Sequence, residues 1–173
     1  AFACFDRAGE SASAFDARCA SIDSLILVRG VERANVVIDS LLAEAHSDGQ
    51  RATALTVRAT AALMAVDHVT GIASAREAFA LAERLDSPWP RFEAARLLAV
   101  GLAQAVRNDE ALAVIEPFEA LVEANGTREQ RGHFWADYAY VLNSARKLRR
   151  TADALGRAID NARALGDLAE LAQ

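Results

Sequence analysis

The stretch His133–Asp167, HFWADYAYVLNSARKLRRTADALGRAIDNARALGD, decides the fold. Phe134, Tyr138, Val141, Leu142 and Ala145 recur at spacings of three and four, which puts them on one face of a helix. Thr127 is placed to cap that helix, with Gln130 three residues on, as in a capping box. A short basic turn follows. A second helix then carries Ala154, Leu155, Ala158, Ile159 and Ala162 on one inward stripe, and Gly166 is expected to close it in a left-handed conformation. Two antiparallel helices with a short turn make a hairpin. One hairpin cannot bury its whole apolar surface, so it needs neighbours.

Those neighbours are readable upstream at a period of forty residues. Cys19, Ala59, Ala99 and Ala139 are forty apart and all small; Ile22, Ala62, Leu102 and Leu142 follow three later and are all apolar. Ile38, Ala78, Phe118 and Ala158 give the partner-helix register, with Phe118 as the departure. Gly9 and Gly49 are forty apart, as are Gly126 and Gly166. The expected organisation is one domain over 1–173 with four helix pairs, at 11–49, 50–87, 90–126 and 127–166, and partial repeats at both ends.

Taken in order, a first long helix from Ser11 to Arg29 ends at Gly30, and Val31–Ala45 is its partner. Gln50–Val66 and Ile72–Leu85 make the second pair, with the turn at Asp67–Gly71. Pro88 and Pro90 punctuate the chain, because proline fixes its own backbone and disfavours helix before it. Pro90 opens a helix to Val106, and Asn108 is expected to cap a partner over Asp109–Ala124. Pro117 inside that partner removes a hydrogen bond and should kink it.

Ala139 and Ala158 are small where two helices must approach closely. With Trp135, Leu142 and Leu155 they resemble the tetratricopeptide pattern, in which large and small residues alternate at spacings of four and three; Thr151 stands where that family usually has alanine. The period exceeds the thirty-four of ordinary tetratricopeptide repeats. It is similar to the forty-residue helical repeats of bacterial signal-transduction ATPases and of MalT/LuxR-type transcriptional regulators, as are the Gly9-Glu10 and Gly166-Asp167 ends. The resemblance implies an all-α, right-handed superhelix of antiparallel hairpins. It also implies a regulator that senses an effector or binds a partner on its concave face; with Met64 the only methionine, and helical pattern at both ends, the expectation is a piece excised from a larger protein.

Composition agrees with the helical class and narrows the function. Hydrophobic residues make up 53% of the 173, much of it alanine, and 6% are aromatic. Alanine loses no side-chain entropy in a helix. No window alternates with period two, which argues against strands. The net charge of −5 argues against direct nucleic-acid contact by this segment. No apolar run of membrane-spanning length is free of charge. Cys4 and Cys19 do not make a disulfide framework and read as buried thiols, in keeping with a cytoplasmic protein.

No catalytic constellation is present. His46, His68 and His133 fall in different repeats without metal-ligand spacing, and there is neither a phosphate-cradling glycine loop nor a nucleophile elbow. The expectation is a non-enzymatic module without metal or cofactor. Arg146, Lys147, Arg149 and Arg150 read as a solvated turn whose cations suit a helix C-terminus, with an acidic partner surface or a nucleotide as the alternative. Trp89, between two prolines, is a candidate partner anchor, whereas Trp135 suits the hairpin junction.

Carried over by register from the tetratricopeptide resemblance, the concave face comprises Ser13, Asp16 and Asp23, then Thr53, Thr56 and Thr60, then Glu93 and Arg96, and finally His133, Tyr140 and Asn143. The implied partners are a protein segment or peptide, other domains of the same chain, a small effector, or a second copy; membrane and nucleic acid are not among them. The competing expectation is a structural spacer or self-association module with no ligand.

Overall fold

The computed structural model describes residues 11–171, and the side chains of residues 14–164 and 166. Cys4, Gly9 and Glu10 lie outside that range. The protein is all-helical, with no strand among the described residues. In chain order the helices are α1 (Ser11–Ala20), α2 (Ile22–Arg29), α3 (Val31–Glu44), α4 (Asp48–Met64), α5 (His68–Ala82), α6 (Trp89–Gln104) and α7 (Asn108–Ile115). A 3-10 turn at Glu116–Phe118 leads into α8 (Glu119–Asn125), followed by α9 (Arg128–Ser144) and α10 (Leu148–Leu171). The chain forms two compact units, Ala1–Leu97 and Leu98–Gln173, whose boundary falls within α6.

In the first unit, antiparallel pairing is fixed by contacts between the start of one helix and the end of the next. Arg51 meets Glu77 at 2.9 Å and Asp48 meets Arg84 at 2.9 Å, so α4 and α5 run side by side in opposite directions. Arg18, in the last turn of α1, bonds Glu44 and Ser40, which sets that end of α1 beside the end of α3. The core gathers Phe15, Cys19, Ile22, Ile26, Ala34, Ile38 and Leu41 with Ala54 and Ala61. Gly30, at φ 82°, separates α2 from α3, a backbone that a side chain would resist. The single helix expected over Ser11–Arg29 is interrupted at Ser21, whose hydroxyl donates to Arg18 O at 2.8 Å. That hydroxyl competes with the helix for its own backbone.

In the second unit, α9 and α10 pair in the same antiparallel way. Arg128 donates to Ala164 O at 3.2 Å, and Arg157 lies over the Trp135 ring at 4.4 Å. Phe134, Val141 and Leu142 are fully buried with Ile115 and Val122. Pro117 replaces the expected kinked helix with a 3-10 break between α7 and α8. Gly126 ends α8 because space requires it: a Cβ there would sit 2.5 Å from Val122 O.

The forty-residue period appears in the backbone itself. Val66, Val106 and Arg146 all take left-handed conformations, at φ 62°, 62° and 57°. Behind each, an N–H reaches five residues back: Asp67 to Ala62 O at 2.9 Å, Arg107 to Leu102 O at 2.8 Å, and Lys147 to Leu142 O at 2.8 Å. This is the closure that satisfies the orphan carbonyls of a helix end. Its three acceptors are the apolar register residues whose side chains are buried. The starts of the hairpins repeat as well. Ser47 and Thr127, eighty apart, each accept from the N–H of the glutamine three residues on, at 3.1 Å. Thr127 and Gln130 complete a reciprocal capping box.

Several expected boundaries move. The second turn is at Ala65–Asp67 rather than Asp67–Gly71, because Asp67 caps α5 by accepting from Thr70 N–H at 3.0 Å. Asn108 does not cap its helix; its side chain bonds Ser144 instead, donating to Ser144 O at 3.2 Å and accepting from Ser144 Oγ at 2.7 Å. Gly166 does not close α10, which continues through it to Leu171. Nor is the whole α10 stripe inward: Ala154 is buried, but Leu155 and Ile159 are 47% and 49% exposed.

Candidate functional site

The residues nominated for a concave face fall on both units. In the first, Asp16 and Asp23 are exposed, and the Ser13 side chain is outside the described set. Thr53, Thr56 and Thr60 line one side of α4, but their hydroxyls turn back to Gly49 O at 3.0 Å, Ala52 O at 2.8 Å and Thr56 O at 3.2 Å. That local bonding occupies the donors a ligand would use. Glu93 and Arg96 are brought together as an ion pair at 3.0 Å on α6. In the second unit, His133, Tyr140 and Asn143 are exposed along one side of α9. His46, His68 and His133 remain apart, and no three His, Cys, Asp or Glu side chains gather as a metal-ligand set among the described residues.

The opposite side of α9 carries more chemistry. Trp135, Tyr138 and Leu142, at spacings of three and four, form the floor of a groove between the α7–α8 segment and α10. Glu116 and Glu123 rise on one wall, seven residues apart across the proline break. Arg150 and Arg157, also seven apart, rise on the other. Two turns of helix separate each pair, so the groove is spanned twice. Arg150 bonds Glu116 at 2.9 Å and the Tyr138 hydroxyl, with its guanidinium 5.5 Å from that ring's centre. Arg157 lies 3.4 Å from Glu123 and stacks on Trp135, whose indole N–H donates to Glu123 at 2.7 Å. Tyr138 donates to Glu116 at 3.1 Å. Burial, with the Glu116 charge beside it, pushes the Tyr138 phenol up to about 12.

Beyond the Trp135 end the groove widens into a cleft of about 460 Å³, lined by Glu123, Arg128, Arg131, Trp135, Arg157 and Asp160 with Asn161 and Ala164. Arg128 and Arg131 come from the first turn of α9, where the helix dipole adds positive potential. Arg131 donates to Glu123 O at 3.2 Å. The chemistry this arrangement offers is recognition of anionic groups by guanidinium ions beside an indole.

Sequence reasoning did not reach this cleft. It placed Arg150 at a solvated turn, whereas the side chain returns to Glu116. It placed Trp135 at the hairpin junction, where the ring is indeed 3% exposed. The missed signal was the matched spacing of seven in Glu116/Glu123 and Arg150/Arg157 around an aromatic pair. Trp89 opens α6, half-buried and edge-on to Phe92 at 5.9 Å.

The first unit has a groove of different character. Arg18, Ser21, Leu25, Val28, Arg29 and Val37 line about 510 Å³ of mostly apolar space. Cys19, on α1, is 5% exposed, and burial with nearby Asp16 pushes its thiol up to about 11, although Arg18 acts in the opposite sense. No helix among the described residues is long and apolar enough to cross a membrane. No protein-family model, curated protein or solved structure matches this chain.

Proposed function

We propose that this chain is a non-catalytic repeat module of a bacterial transcriptional regulator, working in the cytoplasm. Its hairpins stack as a right-handed, tetratricopeptide-like superhelix and recognise a protein segment or small effector on the concave side. The observation that carries this reading is the forty-residue recurrence of the left-handed turn at Val66, Val106 and Arg146. Stacked hairpins use first helices for binding and leave their cores for stability. The exposed His133, Tyr140 and Asn143 on α9 supply polar and aromatic contact groups of the kind such faces use. The regulator assignment rests on the resemblance of the repeats.

A second reading, self-association, is favoured by one specific observation. Leu155 and Ala162 occupy the register of Ile115 and Val122, forty residues earlier. Ile115 and Val122 are 1% and 0% exposed, whereas Leu155 is 47% exposed. An apolar stripe of that kind marks an interaction surface.

Light scattering combined with a thermal-shift screen of peptides and small effectors tests both. A monomer whose melting temperature rises with a ligand, and loses that response in Tyr140→Ala/Asn143→Ala, is expected. A stable dimer that responds to no ligand and falls apart in Leu155→Glu/Ile159→Glu overturns the recognition reading in favour of self-association.

A further inference from the structure

We infer that the cleft at the Trp135 end of the α9–α10 groove is an anion-binding site, taking a carboxylate or phosphate group of a small ligand between Arg128, Arg131 and Arg157. It lies on the side of α9 opposite His133, Tyr140 and Asn143, and so stands apart from the concave-face reading.

Three observations carry it. First, three guanidinium groups converge on one open cleft of about 460 Å³ in a chain whose net charge is −5. Glu123 and Asp160 line the same space, so the five charges leave a local surplus of one positive. Second, the cationic groups are held in place from behind. Arg128 is fixed by Ala164 O at 3.2 Å, Arg131 by Glu123 O at 3.2 Å, and Arg157 by stacking on the indole at 4.4 Å. Each guanidinium has five N–H donors, and one bond to a backbone carbonyl leaves most of the fork of Arg128 and Arg131 for a ligand. Third, the cleft already recognises a carboxylate. The Glu123 side chain takes the indole N–H at 2.7 Å and lies 3.4 Å from the Arg157 guanidinium. It thereby occupies part of the place that an external anion would share. Its negative charge sets the affinity: the ligand binds against Glu123, not because of it.

This makes an asymmetric prediction. Neutralising Glu123 while keeping its hydrogen-bond acceptor strengthens ligand binding, and removing either α9 arginine weakens it. A purely structural ion-pair cluster would show neither response.

The experiment uses the full chain carrying Trp89→Phe, which leaves Trp135 as the single tryptophan. Its fluorescence is titrated with pyrophosphate and, separately, with succinate, against sodium chloride at matched ionic strength. Saturable quenching is expected with at least one of the two, and which one identifies the group as phosphate or carboxylate. Arg128→Ala and Arg131→Ala each weaken that response about tenfold, the size of one lost charge-assisted contact. Glu123→Gln tightens it several-fold. Both arginines are on the surface, so circular dichroism is expected to show unchanged helix content in each variant. Quenching that follows ionic strength alone, no saturation with either anion, or an unchanged response in the arginine and Glu123→Gln variants would each overturn the inference.

Discussion

Two grooves of this molecule, three repeats apart in the forty-residue register, share the lining positions Arg18/Tyr138 and Val37/Arg157 and lie over equivalent buried side chains, a common floor beneath different chemistry. Phe15 corresponds to Trp135 and Ile22 to Leu142, and all four side chains are buried. At the rim, Arg18 corresponds to Tyr138, Gly30 to Arg150 and Val37 to Arg157. In the second unit the rim is bound by two arginine–glutamate rungs over aromatic rings. In the first it is mostly apolar, with Leu25, Val28 and Val37 beside Arg18 and Arg29, and Val28 is 74% exposed. A repeat frame needs only its small and large core positions filled correctly, because interior packing responds to single methylenes. The rim is under no such constraint, and this is where two equivalent hairpins differ in chemistry.

The comparison breaks most readily at the shared floor. Ile22→Ala and Leu142→Ala remove fully buried side chains at equivalent positions. Each is expected to cost about 2–5 kcal/mol in urea unfolding, since the lost transfer energy and the cavity add. If one of the two costs less than about 1 kcal/mol, the register equivalence of the two floors fails.

Alkali separates the units by chemistry. Cys19 in the first has its thiol raised to about 11, and Tyr138 in the second has its phenol raised to about 12. Both groups are neutral when protonated, so a raised native pKa favours folding while the proton is bound. That stability is full below the unfolded values near 9 and 10 and is lost as pH climbs through the native ones. Cys19→Ala is expected to flatten the pH dependence between about 9 and 11, and Tyr138→Phe between about 10 and 12. Thermal melts across pH 8–12, roughly, read both, and an unchanged slope in either variant counts against the assigned burial of that group.

The turns respond in the stabilising direction. Val66 and Val106 hold β-branched side chains at positive φ, where an L-residue costs about 1–2 kcal/mol. Val66→Gly and Val106→Gly relieve that strain but free the unfolded chain, so the expected net gain is about 0.5–1 kcal/mol. A loss at either position would mean that the exposed valine makes a contact the geometry does not show.

How much of this was legible in the sequence follows from which interactions are local. The all-helical class, the forty-residue period and the Thr127 capping box all came from short-range pattern, and the described residues bear them out. The left-handed turns were not legible, because valine at φ 62° contradicts its own preference and is imposed by the hairpin. Gly166 misled for the converse reason: glycine permits a helix end without requiring one. The cleft left only the matched spacings of seven as its trace, because Glu123, Trp135 and Arg157 are brought together by tertiary packing across thirty-four residues of sequence. The hydroxyls of Thr53 and Thr56 on α4 bond the carbonyl four residues back, a local preference that surface polarity does not reveal.

The smallest effect sharpens the comparison where the two units are most alike. Ser47 and Thr127 begin equivalent helices, each accepting from the N–H of the glutamine three residues later. Their reciprocal bonds differ. Gln130 reaches the N–H of Thr127 itself at 2.9 Å, closing the box, whereas Gln50 reaches one residue further back to the His46 N–H at 3.0 Å. Both arrangements satisfy two orphan donors, so replacing either cap by alanine is expected to cost about 1 kcal/mol. The glutamines distinguish them. Gln130→Ala opens a box whose two bonds share one turn, so in a Thr127/Gln130 double-mutant cycle the two losses are expected to couple by a few tenths of a kcal/mol or more. In a Ser47/Gln50 cycle the bonds anchor different residues, and the losses should come closer to adding. Equal coupling in both cycles would show that the one-residue shift has no energetic consequence and that the two helix starts are interchangeable.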